Sequence, residues 1–194
     1  MTAAAAPRLA PLEPPYDPAV AELIGRWMPG GWDPEADVEP LSLFRTLARH
    51  PELMSRMRPL GAGILGSRAR MPLRLREVMI DRTCALAGAE YEWGVHAAAF
   101  GGAAGLDARQ LNSTAAGSPT DGCWGPEEAA VMRLADQLHE TSSISEELWD
   151  TLQDLFSEEQ IIELIVTAGW YHTIAYLCNG LRVPLEGWAQ RLPA

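Results

Sequence analysis

After Pro40 the apolar positions recur three and four residues apart almost without interruption, the spacing of one face of an α-helix, and no stretch of useful length alternates apolar and polar residues as a strand would. Leu43, Phe44, Leu47 and Ala48 form a first stripe that stops near His50-Pro51. A second segment runs from Glu52 to the glycines Gly61, Gly63 and Gly66. Pro72 opens a third helix, because proline in a first turn gives up no hydrogen bond, and Leu75, Val78, Met79 and Leu86 supply its apolar face. Gly88 breaks that pattern just before Ala89-Glu90-Tyr91-Glu92-Trp93, where another helix is expected to begin and to end near Gly105, with Asp107 capping the next. The polar stretch Asn112–Gly125, with Gly117, Pro119 and Gly122, reads as a long loop. Beyond it, Pro126-Glu127-Glu128 has the proline and acids of a helical first turn, and Ser143-x-x-Glu146 and Ser157-x-x-Gln160 have capping-box spacing. The last helix runs from about Glu158 to Leu181. The predicted fold is all-α, with roughly eight helices.

The first 40 residues differ: they hold eight of the 15 prolines, so regular structure there is confined to about Ala19–Met28. They read as an arm laid over the domain or a neighbour, with a turn-rich run at Pro29–Pro34 and with Trp27 and Trp32 as apolar anchors. The predicted organisation is an arm over 1–40, a helical domain over 41–186 and a C-terminal tail over 187–194.

Composition narrows the function classes. A net charge of −11 argues against a nucleic-acid partner, which requires a concentrated cationic face. No apolar run reads as a bilayer span and Met1–Ala10 has no apolar core with a basic flank, so a cytoplasmic protein without a membrane partner is expected. All 15 cationic residues are Arg, seven of them between Arg56 and Arg82, whereas Glu127–Glu163 holds eleven acids and only Arg133. That asymmetry suits a subunit interface or a pocket for an anionic substrate. Cys84, Cys123 and Cys178 are widely spaced and form no CxxC, which removes support for a disulfide framework, a zinc site or a dithiol centre.

The chemistry-bearing group is Glu77 with the segment Glu90–His96. Glu92 and His96 are four apart and share a helical face, where a carboxylate can fix the imidazole tautomer and raise its pKa. Glu77 lies 15 residues before Glu92 and faces the same pocket if the two helices form a hairpin at Gly88, with Arg82 and Arg74 as nearby positive charge. The same i,i+4 spacing also describes an ordinary surface pair worth a few tenths of a kcal/mol. His172, in Trp170-Tyr171-His172, either lines the pocket or is a satisfied core histidine. His50 and His139 read as helix-end groups. The glycines at 61, 63 and 66 follow no strand and precede no Lys, so they are not a phosphate loop.

Arg76-Glu77, then Arg82, then Glu90-Tyr91-Glu92-Trp93-x-x-His96 resembles the signature of the carboxymuconolactone decarboxylase (AhpD-like) family. Ile144–Trp149, Glu159–Leu164, Gly169-x-Tyr171, Asn179 and Val183 are similar to the distal half of its longer members, so the likeness spans about Leu41–Glu186. The related alkyl hydroperoxidases carry Glu, Cys-x-x-Cys and His at positions that fall here on Glu77, Ala89, Glu92 and His96, so both sulfurs are replaced. The resemblance implies a carboxy-lyase of the 4-carboxymuconolactone type or an isomerase, using neither metal nor organic cofactor. It implies catalytic roles for His96 (proton donor), Glu92 (orienting it) and Glu77 (in the same relay). Arg82, Tyr91, Trp93 and His172 become candidates to bind or line the site of a small-molecule substrate. It also implies a homo-oligomer, a trimer or a hexamer of two trimers. An alkyl hydroperoxidase or peroxiredoxin-like activity is the alternative enzyme class, opposed by the missing CxxC. A ligand-binding oligomer is the non-enzymatic one.

Overall fold

The structure, a computed structural model, describes residues 6–28, 32 and 38–193. Its regular structure among those residues is nine α-helices and no strand: α1 (Pro18–Trp27), α2 (Ser42–Leu47), α3 (Pro51–Leu65), α4 (Leu73–Leu86), α5 (Glu90–Ala99), α6 (Ala108–Ala116), α7 (Pro126–Thr141), α8 (Glu146–Leu155) and α9 (Glu158–Leu181).

Helix α4 is the hub, packed against α5, α6, α7 and α9. Every residue from Leu75 to Cys84 is buried, including Arg76, Glu77, Asp81 and Arg82. A helix enclosed on all sides has no solvent face to be polar, so its polar residues are inside and must find partners there. The main core joins Val78, Met79 and Ile80 of α4 to Val131 and Leu134 of α7, Leu152 of α8 and Leu164 of α9. A second core lies on the other side of α5 and α9, where Tyr91, Val95, Ile174 and Cys178 meet Leu23 and Ile24 of α1, Leu43 and Leu47 of α2, and Met54 of α3.

The proline-rich arm therefore contributes to a core of its own chain. Arg8 donates from its backbone N–H to Leu181 O (2.9 Å) and from its guanidinium to Gly180 O (2.8 Å). Buried Arg45 ties the arm to α2 by donating to Leu12 O at 3.2 Å and Pro40 O at 3.1 Å. Trp27 packs on Phe44 and Trp32 on Tyr16, with ring centroids 5.2 and 5.8 Å apart. The turn-rich run expected at Pro29–Pro34 lies, Trp32 excepted, outside the described residues.

Local start signals explain most helix boundaries. Pro126 opens α7, and Asp107/Gln110 and Ser157/Gln160 form reciprocal capping boxes on α6 and α9. Three expectations need correction. Asn112–Ala116 is helix, not loop, because the Asp107 box launches α6 and Leu111, Ser113 and Thr114 bury one side of it. Ser145 rather than Ser143 caps α8, accepting from Leu148 N at 3.3 Å. The chain leaves α5 at Ala99, short of Gly105, and turns through a left-handed Gly105 (φ 66°). One further finding departs from the sequence reading: α9 is long and apolar enough to cross a membrane by length and composition, although half of that window is buried in the domain. Gly61 of α3 meets this helix closely, since a Cβ there would stand 3.1 Å from Cζ2 of Trp170.

The C-terminal segment is strapped onto α5: Gln190 N donates to Gly94 O (3.2 Å), and a Cβ on Gly94 would overlap Gln190 O. Gly94→Ala is expected to lift this segment and cost about 1–3 kcal/mol by overpacking. Gly102→Ala, where a Cβ would meet nothing within 4 Å, is expected to be neutral, so comparing the two in urea denaturation tests the strap.

Candidate functional site: a buried carboxylate–imidazole cluster

The left-handed Gly88 (φ 61°) turns the chain between α4 and α5, with Ala89 N donating back to Cys84 O at 2.8 Å. The turn is tight enough to bring Glu77 of α4 against His96 of α5. His96 Nδ1 lies 2.7 Å from Glu77 Oε2, and both side chains are almost wholly buried. On the opposite ring nitrogen, Glu92 Oε1 is 3.5 Å from Nε2, longer than an ordinary hydrogen bond. The structure thus brings Glu77, Glu92 and His96 together. It also exchanges the expected carboxylate positions, since Glu77 grips the ring while Glu92 faces the freer nitrogen. The spacing of 92 and 96 puts both on one side of α5, but only the neighbouring helix approaches Nδ1 in the ring plane.

Four residues that sequence reasoning did not assign complete the cluster. Arg76 donates from Nε to Glu77 Oε1 at 3.2 Å and from Nη1 to Ile64 O at 3.3 Å, anchoring the carboxylate to the end of α3. Tyr171 of α9 meets the His96 ring edge-on and Phe100 lies over it at a tilt, each with centroids 5.0 Å away. Asp81, one helical turn after Glu77, is fully buried, and neither carboxyl oxygen has a hydrogen-bond partner. The signal for Asp81 was its i,i+4 spacing from Glu77, on a helix for which the sequence marked only the apolar face of Leu75, Val78, Met79 and Leu86.

The remaining candidates lie elsewhere. Arg82 points away from Glu77, pairing with Asp136 of α7 at 2.6 Å and donating to Thr114 O and Gly117 O. Five residues along a helix is 140° past Glu77, which turns Arg82 toward α6 and α7. Arg74 likewise pairs with Glu128 at 2.7 Å. Tyr91 donates to Glu186 Oε1 (2.6 Å) and accepts from Leu43 N (3.0 Å), knotting α5 to α2 and the C-terminal segment. Trp93 is core, its indole donating to Thr114 Oγ1 at 3.1 Å. His172 turns to the outside of α9 beside His139 and Tyr176, one residue and about 100° round the helix from Tyr171.

Electrostatics follow from burial. Desolvation alone would lower the His96 pKa, but hydrogen bonding and charge from Glu77 and Glu92 outweigh it and raise the value to about 10. His96 is therefore an imidazolium at neutral pH. Burial raises the Asp81 carboxyl well above its ordinary range, with His96 opposing and Glu77 reinforcing the shift. Glu77 lies between Arg76 and His96, and Glu92 faces the far side of the ring, so acidic and basic groups are interleaved in the buried cluster, as burial of charge requires. Burial also raises the thiols of Cys84 and Cys178 and the Tyr171 phenol. Among the described residues no three His, Cys, Asp or Glu side chains are placed to hold a metal ion.

The fold and cluster define an all-helical domain built around a buried acid/base centre. The family model for the carboxymuconolactone decarboxylase family matches residues 51–137, which contain the whole α4–α5 hairpin. This match supports a carboxymuconolactone decarboxylase/AhpD-like assignment for the helical domain. Solved structures share the fold at low identity. The debrominase Bmp8 is 17% identical with a TM-score of 0.73, covering 92% of each chain. A protein of unknown function from Agrobacterium tumefaciens, linked to AhpD antioxidant defence, is 18% identical with a TM-score of 0.65, covering 72% of this chain and 94% of its own. An uncharacterised peroxidase-related protein with an AhpD core, from Ralstonia eutropha, is 15% identical with a TM-score of 0.69, covering 76% and 78%. No curated protein matches the sequence.

An Asp whose folded pKa is raised favours folding fully only below its unfolded pKa, near 4, and the benefit is lost as pH rises through the folded pKa. Asp81→Asn is therefore expected to match the wild type in stability near pH 4. Its relative stability should rise above that by at most about 1.4 kcal/mol per pH unit. Denaturant midpoints between pH 4 and 8 check this, and a variant less stable than wild type at pH 7 would show that the carboxylate is needed.

Proposed function

We propose that the chain is a cofactor-free acid/base enzyme that decarboxylates or isomerises a small anionic or carbonyl-bearing molecule, with His96 as proton donor. The observation that supports this reading is the clamped imidazolium: Glu77 holds Nδ1 at 2.7 Å, leaving Nε2 to act, with Glu92 3.5 Å away. In decarboxylation of a carboxylated lactone the C–C bond to the carboxylate breaks and CO₂ departs. The electron pair passes through the ring double bond to the lactone carbonyl, and carbon then takes a proton. Such a substrate is its own electron sink, so the protein needs only to hold an anion, stabilise the developing enolate and deliver the proton. A buried imidazolium supplies both charge and proton. Glu77, fixed by Arg76, keeps the ring oriented, and Glu92 is placed to assist reprotonation of Nε2. Phe100, only half-buried, lies against the ring.

Cys84 and Cys178 give no support to peroxide reduction. A peroxidatic cysteine must be exposed and readily ionised, whereas Cys84 and Cys178 are buried with raised pKa values and Ala89 and Glu92 occupy the motif positions.

The test is CO₂ release from 4-carboxymuconolactone, with NMR of the products to detect isomerisation, for wild type and His96→Ala. The expected result is turnover that falls about 10²–10⁴-fold in the variant, the usual worth of a general acid. Turnover that survives His96→Ala would reject the acid role. A folded wild type that leaves the lactone unchanged would reject that substrate.

A further inference from the structure

Two features lie outside the buried cluster and its chemistry: the remaining histidines, and the run Glu127–Glu163, with eleven acids and Arg133 as its one Arg. The fold brings them to one place. His139 stands in the last turn of α7 and His172 at mid-length on α9, with ring centroids 5.6 Å apart and planes tilted by 40°. Two imidazoles sharing one metal ion, with N–metal bonds of about 2.1 Å and a roughly tetrahedral angle, have ring centres about 5 Å apart. A small side-chain adjustment therefore separates the observed pair from chelation.

Both rings are free to bind. The histidine hydrogen bonds among the described residues belong to His50, which caps α3, and to His96, held by Glu77, and engage neither His139 nor His172. His139 is exposed and His172 half-buried, so solvent reaches the pair. Tyr176 meets the His172 ring edge-on at 4.7 Å and restrains its rotation. The surroundings favour a cation. His139 lies at the C-terminal, negative end of the α7 dipole. Helix α8 and the stretch Leu164–Leu181 of α9 hold no Lys or Arg, and Arg133 is six residues, about 9 Å of helix, before His139.

We propose that His139 and His172 form a two-imidazole site for a divalent transition-metal ion, Zn²⁺ or Cu²⁺, that bridges α7 and α9, with water filling the remaining positions. Imidazole nitrogen suits these ions, whereas Mg²⁺ and Ca²⁺ require oxygen. The site is separate from the buried cluster, where Glu77 occupies His96 Nδ1. It fastens the helix that serves that cluster, because Tyr171, the residue before His172, meets His96 edge-on.

Calorimetric titration of the tag-free full chain with ZnCl₂ tests this. One ion per chain is expected, with an upward shift of the thermal midpoint, and neither is expected with MgCl₂. His139→Ala and His172→Ala should each weaken binding about 10²-fold or more, because two fixed ligands on one ion exceed a single ligand by about 10²–10⁴. The double variant should lose little beyond either single one. Both side chains reach solvent, so the circular dichroism spectra should match the wild type. On the wild type itself, one equivalent of Cu²⁺ should broaden the ring signals of His139 and His172 and spare those of His50 and His96. Absence of Zn²⁺ binding, single variants with wild-type affinity, binding that survives the double substitution, or broadening of His50 before the pair would each overturn the inference.

Discussion

The hydrogen bond between Glu77 and His96 sets the terms for everything around it. It joins the hub helix α4 to α5 inside the core, where charge is tolerated only if balanced. Once Glu77 is a carboxylate, the imidazole is drawn into its cationic form, Arg76 is recruited to the second oxygen, and Glu92 balances the ring from the other side. Burial raises the Asp81 carboxyl well above its ordinary range against the opposing charge of His96, and neither of its oxygens has a hydrogen-bond partner. A site of this kind can hold a proton beside a fixed positive charge. The tight turn at Gly88 makes the arrangement possible, because it folds α5 back against α4.

The α-helical class, the break at Gly88 and the capping of α6 and α9 were legible in the sequence because each rests on local chemistry, whereas Glu77 was joined to Glu92 and His96 only through the family resemblance and a conditional hairpin. Caps, first-turn prolines and i,i+4 spacing act over a few residues and leave a direct mark. Tertiary wrapping leaves none. With α4 enclosed by four helices, its polar residues ceased to indicate a solvent face, so Asp81 and Arg76 were not assigned and Arg82 was turned toward the wrong neighbour. Tyr91 and Trp93 flank Glu92 in sequence and diverge in space, one knotted to Glu186 and the other to Thr114. Tyr171 meets the imidazole through a helix about 75 residues further on, a contact no spacing rule could forecast.

The arm and α9 show the same division between local and global information. Proline density marked residues 1–40 as irregular, yet Leu23 and Ile24 of α1 are core residues that close the second cluster over α2, α3 and α9. Helix α9 links the parts, since its inner side supplies Tyr171 to the imidazole and Ile174 and Cys178 to the arm's cluster.

The central claim is that His96 is an imidazolium held by Glu77, and nitrogen NMR of the histidine rings as a function of pH tests it most directly. The account predicts that the buried ring keeps both nitrogens protonated from pH 6 to about pH 9 and loses a proton only near pH 10, with Glu77→Gln bringing that titration down toward the ordinary histidine range. A His96 ring that is neutral at pH 7, or that titrates identically with and without the Glu77 carboxylate, would contradict it.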